Sequence, residues 1–377
     1  MVTRRILLVS GLAVAVAVFI ALAPGHRGWF DVGVYHGTVH HWLAGGDPYD
    51  YLRPPTDLYG FTYPPFALLC MLPMALLGWH ATVAVSVALN VAASAVLLWW
   101  LVDPVARRRG WSRWYAFVLA GCLLAFYGPA RDTVSFGQVN LLLLVLVLAD
   151  WRLLSGRWAR YAGIGIGLAA AVKLTPALFV GYLVLTGRWR AAATAVATCA
   201  AATLGAFALL PDASREFWTS TLWDTSRVGN LAYVSNQSVQ GALARFGATD
   251  RLPWVLAVLA VLAVWAYRIR RADPLPGFAL TGLAACLVSP VTWVHHLVWL
   301  LPALVVLADA GRYRLAAAGY LALSSSMVWL WWDDGRSPLG VLGSNAFVWI
   351  ALALLVALPL RDAGIRTPEK VLLPSGV

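Results

Sequence analysis

The stretch HATVAVSVALNVAASAVLLWWL, residues 80–101, decides the fold class, because its 22 residues include no Asp, Glu, Lys or Arg. A helix of about 20 apolar residues matches the hydrocarbon thickness of a bilayer. Similar runs recur along the chain, which is 61% hydrophobic and 12% charged, with a mean hydropathy of +0.74. A water-soluble protein of 377 residues could not bury that much apolar surface. The sequence therefore predicts an all-α, polytopic membrane protein.

Thirteen apolar segments are candidates for membrane helices, and they make the chain a single integral membrane domain over residues 1–377. Basic residues at both ends place both ends inside, so the number of crossings must be even. At least one segment is then re-entrant or fused with its neighbour, and we expect this within residues 64–101. We predict a bundle of about 11 to 13 membrane segments. The segments are 6–23, 64–78, 80–101, 115–128, 133–149, 161–172, 174–186, 191–210, 253–267, 276–289, 293–308, 315–332 and 344–360.

The basic residues indicate topology, although the net charge of +11 could suggest a nucleic-acid partner. Of the 28 Lys and Arg residues, 19 lie in seven short clusters between apolar segments. Cytoplasmic loops are enriched in Lys and Arg, so we assign these clusters to the inside. The large loops 24–63 and 212–251 are then outside. Membrane lipids, and no nucleic acid, are the expected partners. The clusters are Arg4–Arg5, Arg107–Arg113, Arg152–Arg160, Arg188–Arg190, Arg268–Arg271, Arg312–Arg314 and Arg361–Lys370.

The sequence predicts neither a metal centre nor a cofactor. All four cysteines lie in apolar runs, where no disulfide framework or zinc cluster is supported. His36 and His40 have the spacing that places two imidazoles on one helical face, as at some metal sites, but no HExxH context accompanies them. We expect either acceptor or phosphate binding, or a plain interfacial position, for these histidines.

Asp31 is the first acid outside the membrane, between the first apolar segment and a short helix predicted over residues 33–44. Its aromatic neighbours Trp29, Phe30 and Tyr35 would desolvate it, which raises its basicity and suits it to take a proton from a sugar hydroxyl. The alternative is an acid that complements the dipole of the following helix.

Lys173 is the basic residue that falls inside an apolar run, and Pro176 marks a break there. An intramembrane cation is costly and is by default a functional-site hypothesis, although a lysine can also snorkel to the interface. The segment from Ser289 through His295 and His296 interrupts another apolar stretch on the outer side. Its paired imidazoles can donate to phosphate or position a sugar, or they can lie at the interface without a role in binding.

Amide side chains stand at the heads of two membrane segments. Gln138 and Asn140 lie near the start of segment 133–149, and Asn236 and Gln237 lie in the second outer loop. Amides that line a cavity recognise hydroxyl groups, whereas amides that face lipid are penalised.

Taken in order, these segments resemble the GT-C membrane glycosyltransferases of glycosyltransferase family 87, over about residues 25–310. Each motif is weak alone, and their order along one chain makes the resemblance specific. The motifs are Asp31 in the first outer loop, Gly45-Gly46-Asp47-Pro48-Tyr49, Phe61-Thr62-Tyr63-Pro64-Pro65, Gly137-Gln138-Val139-Asn140, Lys173-Leu174-Thr175-Pro176, Ser235-Asn236-Gln237-Ser238 and Ser289-Pro290 through His295-His296.

The resemblance implies a GT-C helical bundle in a bacterial plasma membrane, with an interfacial helix in the first outer loop and an active site on the extracytoplasmic side. It implies transfer of mannose from a polyprenyl-phosphate-mannose donor to a glycolipid or lipoglycan, such as a phosphatidylinositol mannoside or lipomannan, in an α-linkage. Asp31 is then the catalytic base. The candidates for the donor phosphate are Lys173, His295, His296, Arg131 and Arg227. The candidates for sugar or acceptor are Tyr63, Gln138, Asn140, Asn236, Gln237 and His36.

A β-linked donor and an α-linked product need one inversion, and a phosphate leaves as a stable anion, so one base and cationic stabilisation suffice without a metal. Two other functions stay open. One is an arabinofuranosyltransferase with a decaprenyl-phosphate donor. The other is a lipid or solute transporter, although the chain lacks the internal repeats that are usual in transporters.

Overall fold

A computed structural model describes residues 2–22, 26–55, 59–248, 250–332 and 337–361. Arg366 and Lys370 of the last basic cluster lie outside these residues, as do short pieces of both large outer loops. The described chain is built of α-helices joined by 3₁₀ turns, with one isolated bridge between Leu52 and Gly60, which confirms the all-α prediction. The helices are α1 (Val2–Leu22), α2 (Phe30–Leu43), α3 (Pro65–Met71), α4 (Trp79–Arg108), α5 (Arg113–Phe126), α6 (Gly128–Phe136), α7 (Asn140–Leu154), α8 (Ile164–Val172), α9 (Leu178–Leu185), α10 (Trp189–Leu209), α11 (Pro211–Thr219), α12 (Val239–Arg245), α13 (Arg251–Ile269), α14 (Pro274–Val288), α15 (Leu301–Asp309), α16 (Tyr313–Ser324), α17 (Pro338–Ser344) and α18 (Ala346–Ala357).

Four helices, α1, α4, α10 and α13, are long and apolar enough to cross a membrane. The bent pairs α6–α7 and α17–α18 raise the number to six if each pair is one span. The chain is thus a polytopic helical membrane protein. The count of spans is lower than the expected 11 to 13 segments, because many of the predicted segments form apolar helices of only 10–17 residues. Such helices are too short to cross a hydrocarbon core of about 30 Å as single straight elements.

Helix α14 is the centre of the larger core, and every one of its residues from Leu275 to Leu287 is buried. A helix that is apolar on all sides is stable only where other elements cover it completely. Helices α9, α13, α15 and α18 pack around α14 and provide that cover. The larger core is therefore built around α14.

The described parts of loops 24–63 and 212–251 pack on each other and form a second, smaller core. The ring of Tyr49 in the first loop lies 5.9 Å from that of Phe217 in the second, between centroids, and Nη1 of Arg227 donates to the Tyr49 carbonyl at 2.8 Å. The predicted helix of the first loop is present as α2, which begins at Phe30 rather than at residue 33. Asp31 therefore lies in the first turn of this helix.

A sharp break separates α6 from α7, where the sequence predicted one continuous segment over 133–149. The chain direction bends by 117° between the two helices. Residues 129–132, which lie between two predicted segments, are part of α6. Gly137 causes the break, because its φ of +74° is a left-handed conformation that ends a helix. Gln138 follows Gly137 in the bend, and its carbonyl accepts a hydrogen bond from the side chain of Asn90 at 3.3 Å. Because Asn90 belongs to α4, this bond holds the bend against α4.

We predict that Gly137→Ala destabilises the fold by about 1–3 kcal/mol, because the left-handed backbone is strained for alanine. In addition, a Cβ at this position would lie 2.6 Å from the Cβ of Val32. Thermal unfolding in detergent measures the loss. Gly121→Ala is the matched control, since its Cβ would meet only Leu98 at 3.9 Å within a helix. Equal melting temperatures for the two variants would contradict this account of the bend.

Candidate active site

A cavity of about 430 Å³ lies between α2, the α6–α7 bend, the chain around Lys173 and residues 217–235. The 3₁₀ turn Val294–Leu300 closes its remaining side. The structure brings seven of the sequence-predicted site residues to this cavity although they come from distant parts of the chain. They are Asp31, Tyr63, Gln138, Lys173, Arg227, His295 and His296.

Asp31 presents a carboxyl group that is shielded from water and only partly hydrogen-bonded. Burial raises the pKa of Asp31 from 3.8 to about 6, against the lowering effects of a hydrogen bond from Gln138 and of the charges on Lys173 and Arg53. The Oδ2 atom is buried and has no hydrogen-bond partner among the described residues. The position in the first turn of α2 fits the alternative of a dipole-complementing acid, but the side chain also lines the cavity. A desolvated carboxylate with one free oxygen can accept a proton from a substrate hydroxyl.

Lys173 reaches the cavity because the chain between α8 and α9 is broken at this residue, which is extended with φ −150° and ψ 130°. The break predicted from Pro176 is confirmed, and it starts three residues before the proline. Nζ of Lys173 lies 3.1 Å from Oδ1 of Asn140 and 2.9 Å from Nε2 of His296. Asn140 therefore orients the lysine.

The ring of His296 is held by the backbone of its own turn. Nδ1 accepts the N–H of Trp293 at 3.1 Å, so Nε2 carries the proton of the neutral imidazole. This N–H faces the amine of Lys173 at 2.9 Å. While Lys173 is charged, both nitrogens are donors and neither can accept from the other. An anion that approaches both from the cavity side would accept from each.

The ring of His295, unlike that of His296, has a nitrogen without a hydrogen-bond partner in the described part of the chain. The residue is buried, its ring packs 5.0 Å from that of Phe136 between centroids, and its Nε2 has no hydrogen-bond partner among the described residues. Its carbonyl accepts from Oγ1 of Thr133 at 3.0 Å and from Nδ2 of Asn140 at 3.4 Å, which ties the turn to the α6–α7 bend. The imidazole is thus placed at the cavity with a ring nitrogen available to a ligand.

Two arginines reach the cavity. Arg227 lies 3.8 Å from Glu216 and 3.6 Å from Asp224, so its charge is already shared with two acids. Arg27, which was not among the predicted site residues, pairs with Asp132, because its Nε lies 3.4 Å from Oδ1 of that acid without forming a hydrogen bond. The signal available in the sequence was its place in the same loop as Asp31, four residues earlier.

Five predicted site residues do not line the cavity. Arg131 stacks on Phe19 at 5.0 Å, and the imidazole of His36 lies 3.2 Å from both the Leu77 carbonyl and the His40 ring nitrogen. Asn140 acts behind the cavity through the lysine it orients. The remaining two are Asn236 and Gln237.

Asn236 and Gln237 stabilise the fold, because their amide groups are fully engaged by the protein. Nε2 of Gln237 donates to the carbonyls of Val234 and Ser344, and its Oε1 accepts from the N–H of Phe347. Oδ1 of Asn236 accepts from the N–H of Thr292 at 2.9 Å. This pairing leaves no free group for a sugar hydroxyl on Gln237.

Within the described ranges, no group of three or more His, Cys, Asp or Glu side chains lies close enough together to hold a metal ion. His36 and His40 contact each other without a third such residue. Besides Asp31, the cavity is lined by basic side chains, the Gln138 amide, several hydroxyl groups and two further acids, Asp132 and Asp224.

A desolvated carboxyl and basic donors that face one cavity are the groups that a membrane-embedded transferase needs, a base for the acceptor and cations for an anionic leaving group. The chain belongs to glycosyltransferase family 87, whose sequence profile matches residues 61–290. The resemblance predicted from the motifs is thereby confirmed, and the chain is a glycosyltransferase rather than a transporter.

Curated relatives align with most of the chain. It is 34% identical, over 92% of its length and 88% of the relative, to the polyprenol-phosphate-mannose-dependent alpha-(1-2)-phosphatidylinositol mannoside mannosyltransferase of Mycobacterium tuberculosis strain ATCC 25618 / H37Rv. Identity to the protein of the same name from Mycolicibacterium smegmatis is 32%, with 88% and 83% covered. A polyprenol-phosphate-mannose-dependent alpha-(1-2)-phosphatidylinositol pentamannoside mannosyltransferase of M. tuberculosis strain CDC 1551 / Oshkosh is also 32% identical, with 80% and 73% covered. No solved structure gives a significant match.

We predict that kcat/KM of the transfer reaction falls on the acid side with an apparent pKa near 6. Asp31 can take a proton only as the carboxylate, and its pKa is raised to about 6. Activity should therefore rise with pH through this value and fall tenfold per pH unit below it. A pH series of initial rates checks this, with the exposed Asp212→Asn variant as control. An acid limb near pH 4 would remove Asp31 from this role.

Proposed function

We propose that this protein transfers mannose from a polyprenyl-phosphate-mannose donor to a phosphatidylinositol mannoside or related lipoglycan acceptor, with inversion, to form an α-(1,2)-linkage. The relatives' names give the donor and acceptor classes, and the site gives the chemistry. The observation that carries the proposal is the free Oδ2 of Asp31, on the same cavity as the Lys173–His296 pair.

The Lys173–His296 pair is the proposed site of the donor phosphate. Its two donors face each other at 2.9 Å without an acceptor, and a phosphate oxygen would receive a hydrogen bond from each. His295, with its unpartnered Nε2, is the third proposed contact to the phosphate. Arg227 and Arg27 are paired with Asp224 and Asp132. They would therefore attract the phosphate from a distance, or leave these acids to bind it. Arg131, which stacks on Phe19, has no direct role in this proposal.

The reaction is a single displacement. An acceptor hydroxyl gives its proton to Oδ2 of Asp31, and its oxygen bonds to the anomeric carbon of mannose. The bond from that carbon to the phosphate oxygen breaks, and the electron pair leaves on the polyprenyl phosphate, where the basic side chains stabilise it. The β-linkage becomes an α-linkage because attack and departure occur on opposite faces. A buried base suits the first step, because its raised pKa lies closer to neutral pH than that of an exposed aspartate.

The orientation in the membrane is also part of the proposal. Basic clusters at the other ends of the helices favour an extracytoplasmic site built from loops 24–63 and 212–251, on a single membrane domain. Helix α2 would lie at the membrane interface, where a lipid phosphate and a lipoglycan headgroup can both reach Asp31. The short apolar helices would complete a GT-C bundle of more than six crossings by pairing across their breaks. A polyprenol donor with arabinofuranose in place of mannose is the competing function, and product analysis separates the two sugars.

Asp31→Asn should reduce mannosyl transfer by at least ~10²-fold, because the amide keeps the shape of the side chain but cannot take the proton. Turnover of purified enzyme with donor and acceptor lipids measures this. Donor binding should be retained, which shows that the variant is folded. Retention of more than about a tenth of wild-type turnover would remove Asp31 as the base.

Lys173→Ala should weaken donor binding by about 10- to 100-fold, the effect of removing a hydrogen bond from a charged group. Acceptor binding should change far less. Binding of each lipid to purified protein measures the two effects. Arg215→Ala is the charge-matched control, since Arg215 is exposed in an ion pair of 3.0 Å with Asp212. If acceptor binding collapsed while donor binding stayed normal, Lys173 would belong to the acceptor site.

A further inference from the structure

Two buried tyrosines, Tyr35 and Tyr63, are connected to the Asp31 carboxyl through Gln138. Oη of Tyr63 donates to Oε1 of Gln138 at 2.9 Å, and Oη of Tyr35 lies 2.9 Å from Oη of Tyr63. A tyrosine hydroxyl has one proton, and Tyr63 uses it on Gln138. The Tyr35 hydroxyl is therefore the donor in the bond between the two tyrosines. Nζ of Lys173 lies 3.5 Å from the same Tyr63 oxygen, which has both of its acceptor positions occupied.

The bond from Tyr63 decides which way the Gln138 amide points. With Oε1 turned to the tyrosine, the NH₂ group is the part that remains for the Asp31 carboxyl. The reverse orientation would turn an oxygen toward a carboxylate and replace a hydrogen bond with repulsion. The backbone of Gln138 is also held in place. Its N–H donates to the Thr133 carbonyl at 2.9 Å, and its carbonyl accepts from the Asn90 side chain at 3.3 Å. Only the side chain of Gln138 can then change orientation.

The hydrogen bond from Tyr63 to Gln138 also determines which oxygen of Asp31 is free to accept a proton. The carboxyl interacts with Gln138, while Oδ2 is buried without a partner and the side chain lines the cavity. A base whose two oxygens are distinguished in this way presents one defined acceptor to an entering hydroxyl. Tyr35 stands four residues after Asp31 on α2, one helical turn away, so a single helix positions both the base and the end of the hydrogen-bond chain.

We propose that Tyr35 and Tyr63 are positioning residues for the base, because they fix the Gln138 amide so that its NH₂ group binds one oxygen of Asp31 and leaves Oδ2 for the acceptor. This inference rests on the proposed function of Asp31. It differs from the sequence-based prediction, in which Tyr63 and Gln138 contact the sugar. Tyr35 was outside that prediction altogether.

The two roles predict different effects of removing one hydroxyl. Without the Tyr63 hydroxyl, the Gln138 amide can rotate, the carboxylate loses a hydrogen bond, and Asp31 binds its proton more tightly. The proton is then lost at a higher pH, by about one pH unit for one hydrogen bond to a charged group. A sugar contact would instead change substrate affinity and leave the titration of Asp31 where it was.

The test uses Tyr63→Phe and Tyr35→Phe, with Tyr49→Phe as the matched control. Tyr49 is a buried tyrosine of the same small core, and its hydroxyl donates to the Tyr63 carbonyl at 2.9 Å without contacting Gln138. Two quantities are measured in the full-length protein. One is the pH dependence of kcat/KM. The other is the infrared titration of the carboxyl band that Asp31→Asn removes, which needs no turnover.

We expect Tyr63→Phe to move both midpoints up by about one pH unit and to lower kcat about tenfold, with little change in the KM of either substrate. Tyr35→Phe should give a smaller shift in the same direction, and Tyr49→Phe none. An unchanged infrared midpoint in Tyr63→Phe, or in Tyr35→Phe if the first variant does not fold, would overturn the inference. Failure of the proposed function is seen separately, as absence of mannosyl transfer by the wild-type protein or as full activity of Asp31→Asn.

Discussion

The structure depends on keeping one carboxyl group, that of Asp31, away from bulk water while its free oxygen faces a cavity. Burial raises the pKa of this carboxyl, and the opposing effects of Gln138, Lys173 and Arg53 limit the rise to about 6. Two of these groups, Gln138 and Lys173, reach the site through a break in the helical pattern. The bend at Gly137 places Gln138, and the break between α8 and α9 places Lys173. The fold around the cavity is therefore a set of interrupted helices on a continuous apolar base.

A break in a helix leaves backbone groups without their helical hydrogen bonds, and residues close to each break supply replacement partners. A backbone freed from helical hydrogen bonds must find other partners where water is excluded. At the Gly137 bend these partners are Thr133 and Asn90, and the turn before α15 is tied by its His295 carbonyl to Thr133 and Asn140. The same contacts that satisfy the backbone thus fix the side chains at the cavity. Rigidity of the site and hydrogen bonding of the breaks have one physical origin.

Much of this arrangement could be predicted from the sequence, since a charged or helix-breaking residue in an apolar run is a local signal. Asp31 after the first apolar segment, Lys173 before Pro176 and the paired histidines after Pro290 were found in this way, and all of them line the cavity. The number of spans could not be predicted, because a window of apolar residues does not tell a long helix from two short ones. Two of the amides, Asn236 and Gln237, lie away from the cavity, and their positions could not be predicted for another reason. Gln237 bonds to residues more than 100 positions away, and such partners leave no trace in its own segment.

The measurement that tests the account most directly is the anomeric configuration of the product formed from a β-linked polyprenyl-phosphate-mannose donor. A single displacement assisted by Asp31 predicts an α-mannoside, identified by the one-bond carbon–proton coupling at the anomeric position of the purified product. It also predicts that no mannose becomes attached to the protein when the acceptor is left out. A β-mannoside, or a burst of polyprenyl phosphate with mannose retained on the protein before the acceptor is added, would mean that a covalent intermediate forms. Either result would contradict the role assigned to Asp31.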